Sequence, residues 1–383
     1  MIRPRLSRRE ALKLLGSVPL VASAAIAQNS NGAALTASPG SQAQPGSEPA
    51  RPPARVPVKF DGPLTPSPTA TPGGKPLLTL FALSLQWATD WDEAADTAAK
   101  AGWPAIAWTV RRRSRGNTNV LPENAARDLP KAVAAAKKAG LQMPILMTAI
   151  EDEPQYIEPL LDAMSKLGLR LYQITPPLGR YDYTKDLQPQ LDAWKPRIDA
   201  LAKLNEKYGT TASYHTEGSA TLMGGGGWDL WLLIKDYDPK YIAMDLSLGH
   251  CTMKGGPELW ELLRYAHKNI VAIACNDILW VKKTDRVGGP RRSDPSETWP
   301  WTAEYVVPGT GMVNFQDHFA YLRSIGYAGP LIHYTEYFVD VPGASKPANM
   351  LSPNIPTEMS KELYISNARR DFEFYTKTLA AAG

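Results

Sequence analysis

Tyr241–Cys251 reads YIAMDLSLGHC, an apolar, strand-like run that arrives at Asp245 and is followed by Gly249, His250 and Cys251. A carboxylate at the exit of a buried strand is costly unless something pairs with it. The partner has to come from another part of the chain, so the reading turns on how many other runs end in the same way. Seven do have the same character: Leu78–Gln86, Ala105–Val110, Gln142–Ala149, Arg170–Thr175, Thr211–Thr216, Ile270–Asn276 and Pro330–Glu336, with Tyr241–Leu246 sixth in order. Between them lie stretches of helical periodicity, such as WDEAADTAAKAG, AARDLPKAVAAAKKAG and YIEPLLDAMSKLG, several closing on a glycine that suits a helix C-cap. Strand and helix in alternation imply parallel strands with crossover helices. Eight such units predict an α/β fold, a closed (β/α)8 TIM barrel over residues 77–383, with its chemistry where the strands end. An open doubly wound sheet is the competing arrangement.

The N-terminal part reads differently. Residues 3–27, RPRLSRREALKLLGSVPLVASAAIA, have a basic start, the pair Arg8-Arg9, an apolar stretch and a small-residue cleavage site at Ala25-Ile26-Ala27. Ser7–Lys13 resembles the twin-arginine export motif, so residues 1–27 are expected to be a signal peptide and the protein periplasmic or secreted. Residues 28–76 are rich in Ser, Ala, Gly and Pro and read as a disordered linker. The formal charge of the whole chain is +4, and the same excess sits within residues 1–27, leaving a neutral remainder. That speaks against a nucleic-acid partner despite a pI of 8.8. No later run approaches the roughly 18 apolar residues of a membrane span. Cys251 and Cys275 are too few for a disulfide scaffold and are expected as free thiols.

Residues just past each strand of a barrel share one cavity. The second run leads into TVRRRSRGN, the fifth into SYHTEGS, the sixth to Asp245 and His250, the seventh into ACND and the eighth into HYTEYF. Carboxylates and imidazoles converging on one rim suit a divalent metal such as Mn, Mg, Co or Zn. The same groups suit acid–base work on a proton beside a carbonyl. Arg111, Arg112, Arg113 and Arg115 form either a solvated cluster or a fork for an anion, and Arg111 and Arg113 are taken as substrate-binding candidates. Asp277 is either the cap of a turn or a group facing substrate. Trp87, with Gln86, Trp280, Trp299, Trp301 and Tyr305, adds aromatic and amide character near strand ends, and tryptophan faces pack on sugar rings. His333 stands three residues before Glu336, so an ideal strand turns it to the opposite face. His267 and His318 fall in helical patterns and are read as structural.

The order of these pieces resembles the xylose-isomerase-like TIM barrels, the sugar phosphate isomerase/epimerase family, across about residues 77–375. The resemblance rests on LSLQW, LPENAARDLPKAVAAAKKAGL, GGWDLWLLIKDYDPKYIAMDLSLGH, KGGPELWELLRY, NDILWVKK and VPGTGMVNFQDHFAYLRSIGYAGPLIHYTEY. It implies one divalent cation, with His215, Asp245 and Glu336 as ligands by position and His250 as a histidine near substrate. It also implies isomerase or epimerase chemistry on a small carbohydrate, or a related lyase. Glu336, Glu217 and His250 then stand as catalytic candidates. The chain departs from the family's pattern in three places. The seventh strand, AIACND, has no histidine; His215 and Glu217 come in an unusual order; and Asp245 lies further from His250 than a D-x-x-H form places it. A catalytically idle carbohydrate-binding barrel is the alternative reading. A metal-dependent endonuclease of similar fold would need more than five histidines and a basic face.

Overall fold

The structure is a computed structural model that describes residues 74–111, 116–149, 154–175, 181–218, 227–282, 301–343, 345, 347–349 and 361–382. The expected leader and almost all of the expected linker lie outside these residues. Strands β1 (Leu77–Phe81), β2 (Ile106–Ala107), β3 (Thr109–Arg111), β4 (Leu146–Ala149), β5 (Leu171–Ile174), β6 (Thr211–His215), β7 (Ile242–Ser247) and β8 (Ile270–Cys275) come first in the chain. They are followed by β9 (Asp277–Lys282), β10 (Trp301–Val306) and β11 (Pro330–His333). One parallel sheet runs β2-β1-β11-β8-β7-β6-β5-β4-β3. Its two ends, β2 and β3, are halves of a single run parted only by Trp108, so the sheet closes on itself. This is an α/β TIM barrel.

Helices α1 (Trp91–Lys100), α2 (Ala125–Lys138), α3 (Pro154–Leu167), α4 (Leu187–Asp192), α5 (Lys195–Tyr208), α6 (Trp228–Ile234), α7 (Leu248–Lys254), α8 (Gly256–Ala266), α9 (Phe315–Ser324) and α10 (Lys361–Ala381) follow in chain order. Local chemistry sets their ends. At α1 the Asp90 carboxylate accepts from Glu93 N at 2.8 Å while Glu93 accepts from Thr89 N at 2.8 Å, satisfying two backbone donors reciprocally. At the other end of α5, Gly209 takes φ 64°, a left-handed cap that costs glycine little. None of the described helices is long and apolar enough to cross a membrane.

Alternation along each strand splits the apolar residues into two layers. Phe81, Ala107, Met147, Leu171, Ala272 and Ile332 fill the barrel interior, whereas Leu80, Ile106, Leu146, Met244, Ile273 and Leu331 join the larger core outside it. Some expected boundaries move. β1 stops at Phe81 because Ala82–Leu85 winds into a 3-10 turn, where Ser84 Oγ bonds Phe81 O at 3.1 Å and Tyr364 Oη at 2.7 Å. The antiparallel hairpin of β9 and β10 and the long α10 are elements the strand–helix alternation did not announce. Cys251 and Cys275 are both buried and are not joined in a disulfide.

His333 points outward. Its Nε2–H donates to Asp371 of α10 at 3.0 Å, its ring stacks on Trp103 with centroids 5.3 Å apart, and Asp371 also receives Tyr337 and Arg370. His318 is buried in α9, stacked on Trp260 at 4.4 Å, with Nδ1–H donating to Asn314 O at 2.6 Å. Burial pushes its pKa down to about 4. An unfolded histidine titrates near ~6.5, so this neutral ring stabilises the fold above that pH and the contribution is lost as pH falls toward 4. The effect is on the order of 3 kcal/mol. Thermal melts should therefore drop between pH 6.5 and 4, and His318→Gln should show a shallower drop over that window; equal slopes would remove the assignment.

Candidate active site

The parallel register places His215 of β6 beside Asp245 of β7, on strands whose inward faces coincide. His215 Nδ1 meets Asp245 Oδ2 at 2.9 Å with both side chains buried. The ladder between β7 and β8 is irregular at Met244/Asp245, a disturbance of the kind that re-aims side chains beside functional sites. Tyr334, just past β11, stacks on the His215 ring at 5.5 Å and lies 4.6 Å from Phe81, over which the Arg111 guanidinium sits at 5.3 Å. Arg111 Nη2 also approaches Gln173 Oε1 at 3.4 Å. Glu336, two residues beyond Tyr334 and near enough for its charge to act on both Tyr334 and His215, accepts from Asn276 Nδ2 at 2.9 Å.

The electrostatics follow from this crowding. Burial alone would lower the His215 pKa, but the charges of Asp245, Glu217 and Glu336 outweigh it and raise it. Glu336 is partly accessible yet deep in the mouth. Burial raises its carboxyl above the usual range, against the Asn276 hydrogen bond and the positive charges of His215 and Arg111. Three buried polar atoms here have no partner among the described residues: Asp245 Oδ1, Arg111 Nε and Tyr334 Oη. Such atoms clustered at one mouth are what a polar ligand would satisfy.

The structure brings Arg111, His215, Glu217, Asp245 and Glu336 together. His250 lies edge-on to His215 at 5.2 Å, but both its nitrogens are engaged, Nδ1 with Thr216 O at 2.7 Å and Nε2 with Tyr305 Oη at 2.8 Å. Burial pushes its pKa down to about 3, so it is neutral, donating from Nδ1 and accepting at Nε2. Through Nε2 it is joined to Tyr305 of β10. Asp277 is corrected outright. Its carboxylate accepts backbone N–H bonds from Ile278 (2.9 Å), Gly309 (2.9 Å), Gly311 (2.9 Å) and Val313 (3.1 Å), which fills its acceptor sites and makes it the clasp of a loop. Trp87 is set edge-on against Tyr364 of α10 at 5.5 Å. Arg113 lies outside the described residues. Asn276 and Tyr305 are the site residues that sequence reasoning underweighted, although ACND and the aromatic cluster both contained them.

An α/β barrel with acids, an imidazole and a guanidinium at the carboxyl ends of its strands defines an enzyme-like class. Residues 95–351 match the family model described as xylose isomerase-like TIM barrel, and the chain belongs to that family. Its fold is similar to that of 3-keto-D-glucoside 4-epimerase from E. coli, at 13% identity and a TM-score of 0.54, covering 79% of this chain and 100% of that one. D-psicose 3-epimerase from Clostridium cellulolyticum H10, solved with D-tagatose, aligns at 15% identity and a TM-score of 0.52, covering 79% and 99%. The IOLI protein, solved with a zinc atom, aligns at 14% identity and a TM-score of 0.55, also covering 79% and 99%. At these identities the likeness is one of fold. No curated protein matches the sequence.

The zinc-bound relative makes the fit of a cation a question of donors. Asp245 Oδ1 is the kind of orphaned atom a cation would satisfy. The other groups offer less: His215 spends Nδ1 on Asp245 and keeps only Nε2, and Asn276 aims an N–H at Glu336, a donor where a cation needs an acceptor. Asn276 Oδ1 is already taken by Ser247 Oγ and Gly249 N, each at 3.1 Å. Ser247, three residues before His250, caps α7 instead of presenting an acid. Among the described residues no three of His, Cys, Asp and Glu converge closely enough to hold a metal ion. The expected joint ligation by His215, Asp245 and Glu336 does not hold in this geometry. Elemental analysis of purified protein should find well under one divalent ion per chain; a stoichiometric ion lost in Asp245→Asn would reinstate the shell.

Proposed function

We propose that this chain is a sugar isomerase or epimerase that moves a proton beside a carbonyl with Glu336 as base. The observation that carries this reading is the cluster of unpartnered buried polar atoms, Asp245 Oδ1, Arg111 Nε and Tyr334 Oη, around a carboxyl held above its usual pKa. A polyol supplies what they lack, since each hydroxyl both donates and accepts. The sugar epimerases among the structural relatives support the substrate class.

In this mechanism the Glu336 carboxylate takes the proton from the carbon next to the carbonyl. The C–H electron pair becomes a carbon–carbon double bond, and the carbonyl oxygen takes the negative charge. Arg111 and His215, which the Asp245 carboxylate favours in its charged form with an N–H on Nε2 as well, donate hydrogen bonds to that oxygen. Return of a proton to the opposite face of the same carbon gives the epimer, and Glu217 is the second acid at the rim for that step. Return to the former carbonyl carbon, with the neighbouring hydroxyl passing its proton to the former carbonyl oxygen, gives the isomer. A raised carboxyl pKa suits a base working near neutrality. Glu336→Gln should lower kcat on the order of 10²- to 10⁴-fold. It should also abolish deuterium uptake into the sugar from heavy water, and wild-type kcat/KM should fall on the acid side above the range of an ordinary glutamate. Retained exchange in Glu336→Gln would assign the base elsewhere.

The carbohydrate-binding alternative draws on Asn276, which ties down the carboxyl that would have to act. It requires saturable sugar binding with no exchange in the wild-type chain.

Export by the twin-arginine route is part of the same proposal, supported by Arg8-Arg9 ahead of an apolar stretch. Replacing both arginines with lysine should leave the precursor in the cytoplasm, as read by fractionation; undiminished export would remove this route.

A further inference from the structure

The hairpin of β9 and β10 carries a row of aromatic side chains that the proton transfer does not use. Its register pairs Tyr305 with Ile278, Ala303 with Trp280 and Trp301 with Lys282. Directly paired residues of antiparallel strands project from the same face. Tyr305, Trp280 and Trp301 therefore share one face, at successive steps of roughly 7 Å. Tyr305 identifies that face, because its hydroxyl reaches His250 at the mouth. Tyr305 and Trp280 are half-buried and rooted in the core, whereas Trp301, furthest from the mouth, is 42% exposed. Burial thus falls away along a line that starts at the reacting groups and runs out over the hairpin.

We propose that this row is a second sugar subsite, and that the substrate is a disaccharide or other glycoside. The reacting ring would sit at Glu336 and the neighbouring ring on Trp280 and Trp301. The C–H face of a pyranose stacks on an indole while its hydroxyls stay hydrated at the edge. Lys282, paired with Trp301, offers donors to those hydroxyls. A monosaccharide fills only the mouth and leaves Trp301 in water. The continuity of the row with the mouth, through the Tyr305–His250 hydrogen bond, is what commits it to a second ring of the same ligand. This inference rests on the reading of the mouth as a sugar site.

Calorimetric titration of the full chain with D-glucose, methyl glucoside, cellobiose, maltose and sophorose tests it. At least one disaccharide should bind about tenfold more tightly than glucose. Trp301→Ala should lose most of that gain and leave glucose affinity unchanged, whereas Trp301→Phe should keep it. Disaccharides no tighter than glucose, or a Trp301→Ala loss equal for both classes, overturn the subsite and leave the mouth reading intact. If no saccharide binds the wild-type chain at all, the mouth reading fails and the subsite with it. A change of oligomeric state in Trp301→Ala with saccharide affinities unchanged overturns the subsite in favour of a second copy of the chain.

Discussion

In a closed parallel sheet each strand has one face toward the barrel axis and one toward the helices, and that parity places the buried pair at the heart of the site. Tyr334 and Glu336 follow β11 into the mouth, and Glu217 follows His215 of β6 to the same place. The register between β6 and β7 then sets His215 against Asp245 at 2.9 Å. Neither group would be tolerable alone at that depth, because a buried carboxylate without a partner is costly and a buried imidazole tends to lose its proton. Together they make a polar pair that leaves one carboxylate oxygen and one ring nitrogen facing the mouth. The breaking of the second strand at Trp108 serves the same closure, letting one run bond to β1 with one half and to β4 with the other.

Beyond this pair, two side chains hold the loops by hydrogen bonds. Asp277 gathers four N–H groups from residues 278 to 313, which fixes where β9 begins and where the chain returns from β10. Asn276 next to it holds Ser247 and Gly249 on one side and Glu336 on the other. Both depend on a glycine. A β-carbon at Gly311 would collide with the Asp277 carboxylate, and one at Gly249 with the Asn276 amide. The adjacent Asn276-Asp277 pair therefore links the mouth to the hairpin, the amide serving the first and the acid the second.

Much of this was legible in the amino-acid sequence. Eight apolar runs separated by amphipathic stretches carry the barrel, and the acids and histidines after the later runs mark the rim. The details that escaped are those decided by partners distant in sequence. An imidazole and a carboxylate at neighbouring strand ends look alike whether they face an ion or each other, and only the register shows that His215 and Asp245 meet. Asp277 carried two readings because its four donors lie partly some thirty residues downstream. NDILWVKK and WTAEYVV each resemble a loop until they pair across the long stretch that separates them, so neither the hairpin nor the Tyr305 contact with His250 was visible locally.

The outer face of the last barrel strand has a further implication. His333 and Tyr337 bond Asp371 on α10, where burial would raise the carboxyl but the His333 hydrogen bond and the Arg370 charge bring it below its usual value. Tyr334 and Glu336 alternate with them and look the other way. One short segment is thus interleaved, His333 and Tyr337 riveting the C-terminal helix and Tyr334 and Glu336 serving the mouth. Inserting or deleting a single residue between 333 and 337 would exchange the two sets, driving the helix's partners into the cavity and Glu336 into a wall of apolar side chains. Drift in length over this stretch is closed to the protein, whereas the end of α10 beyond Tyr375 carries none of these bonds and is held by the packing of Leu379 and Ala382.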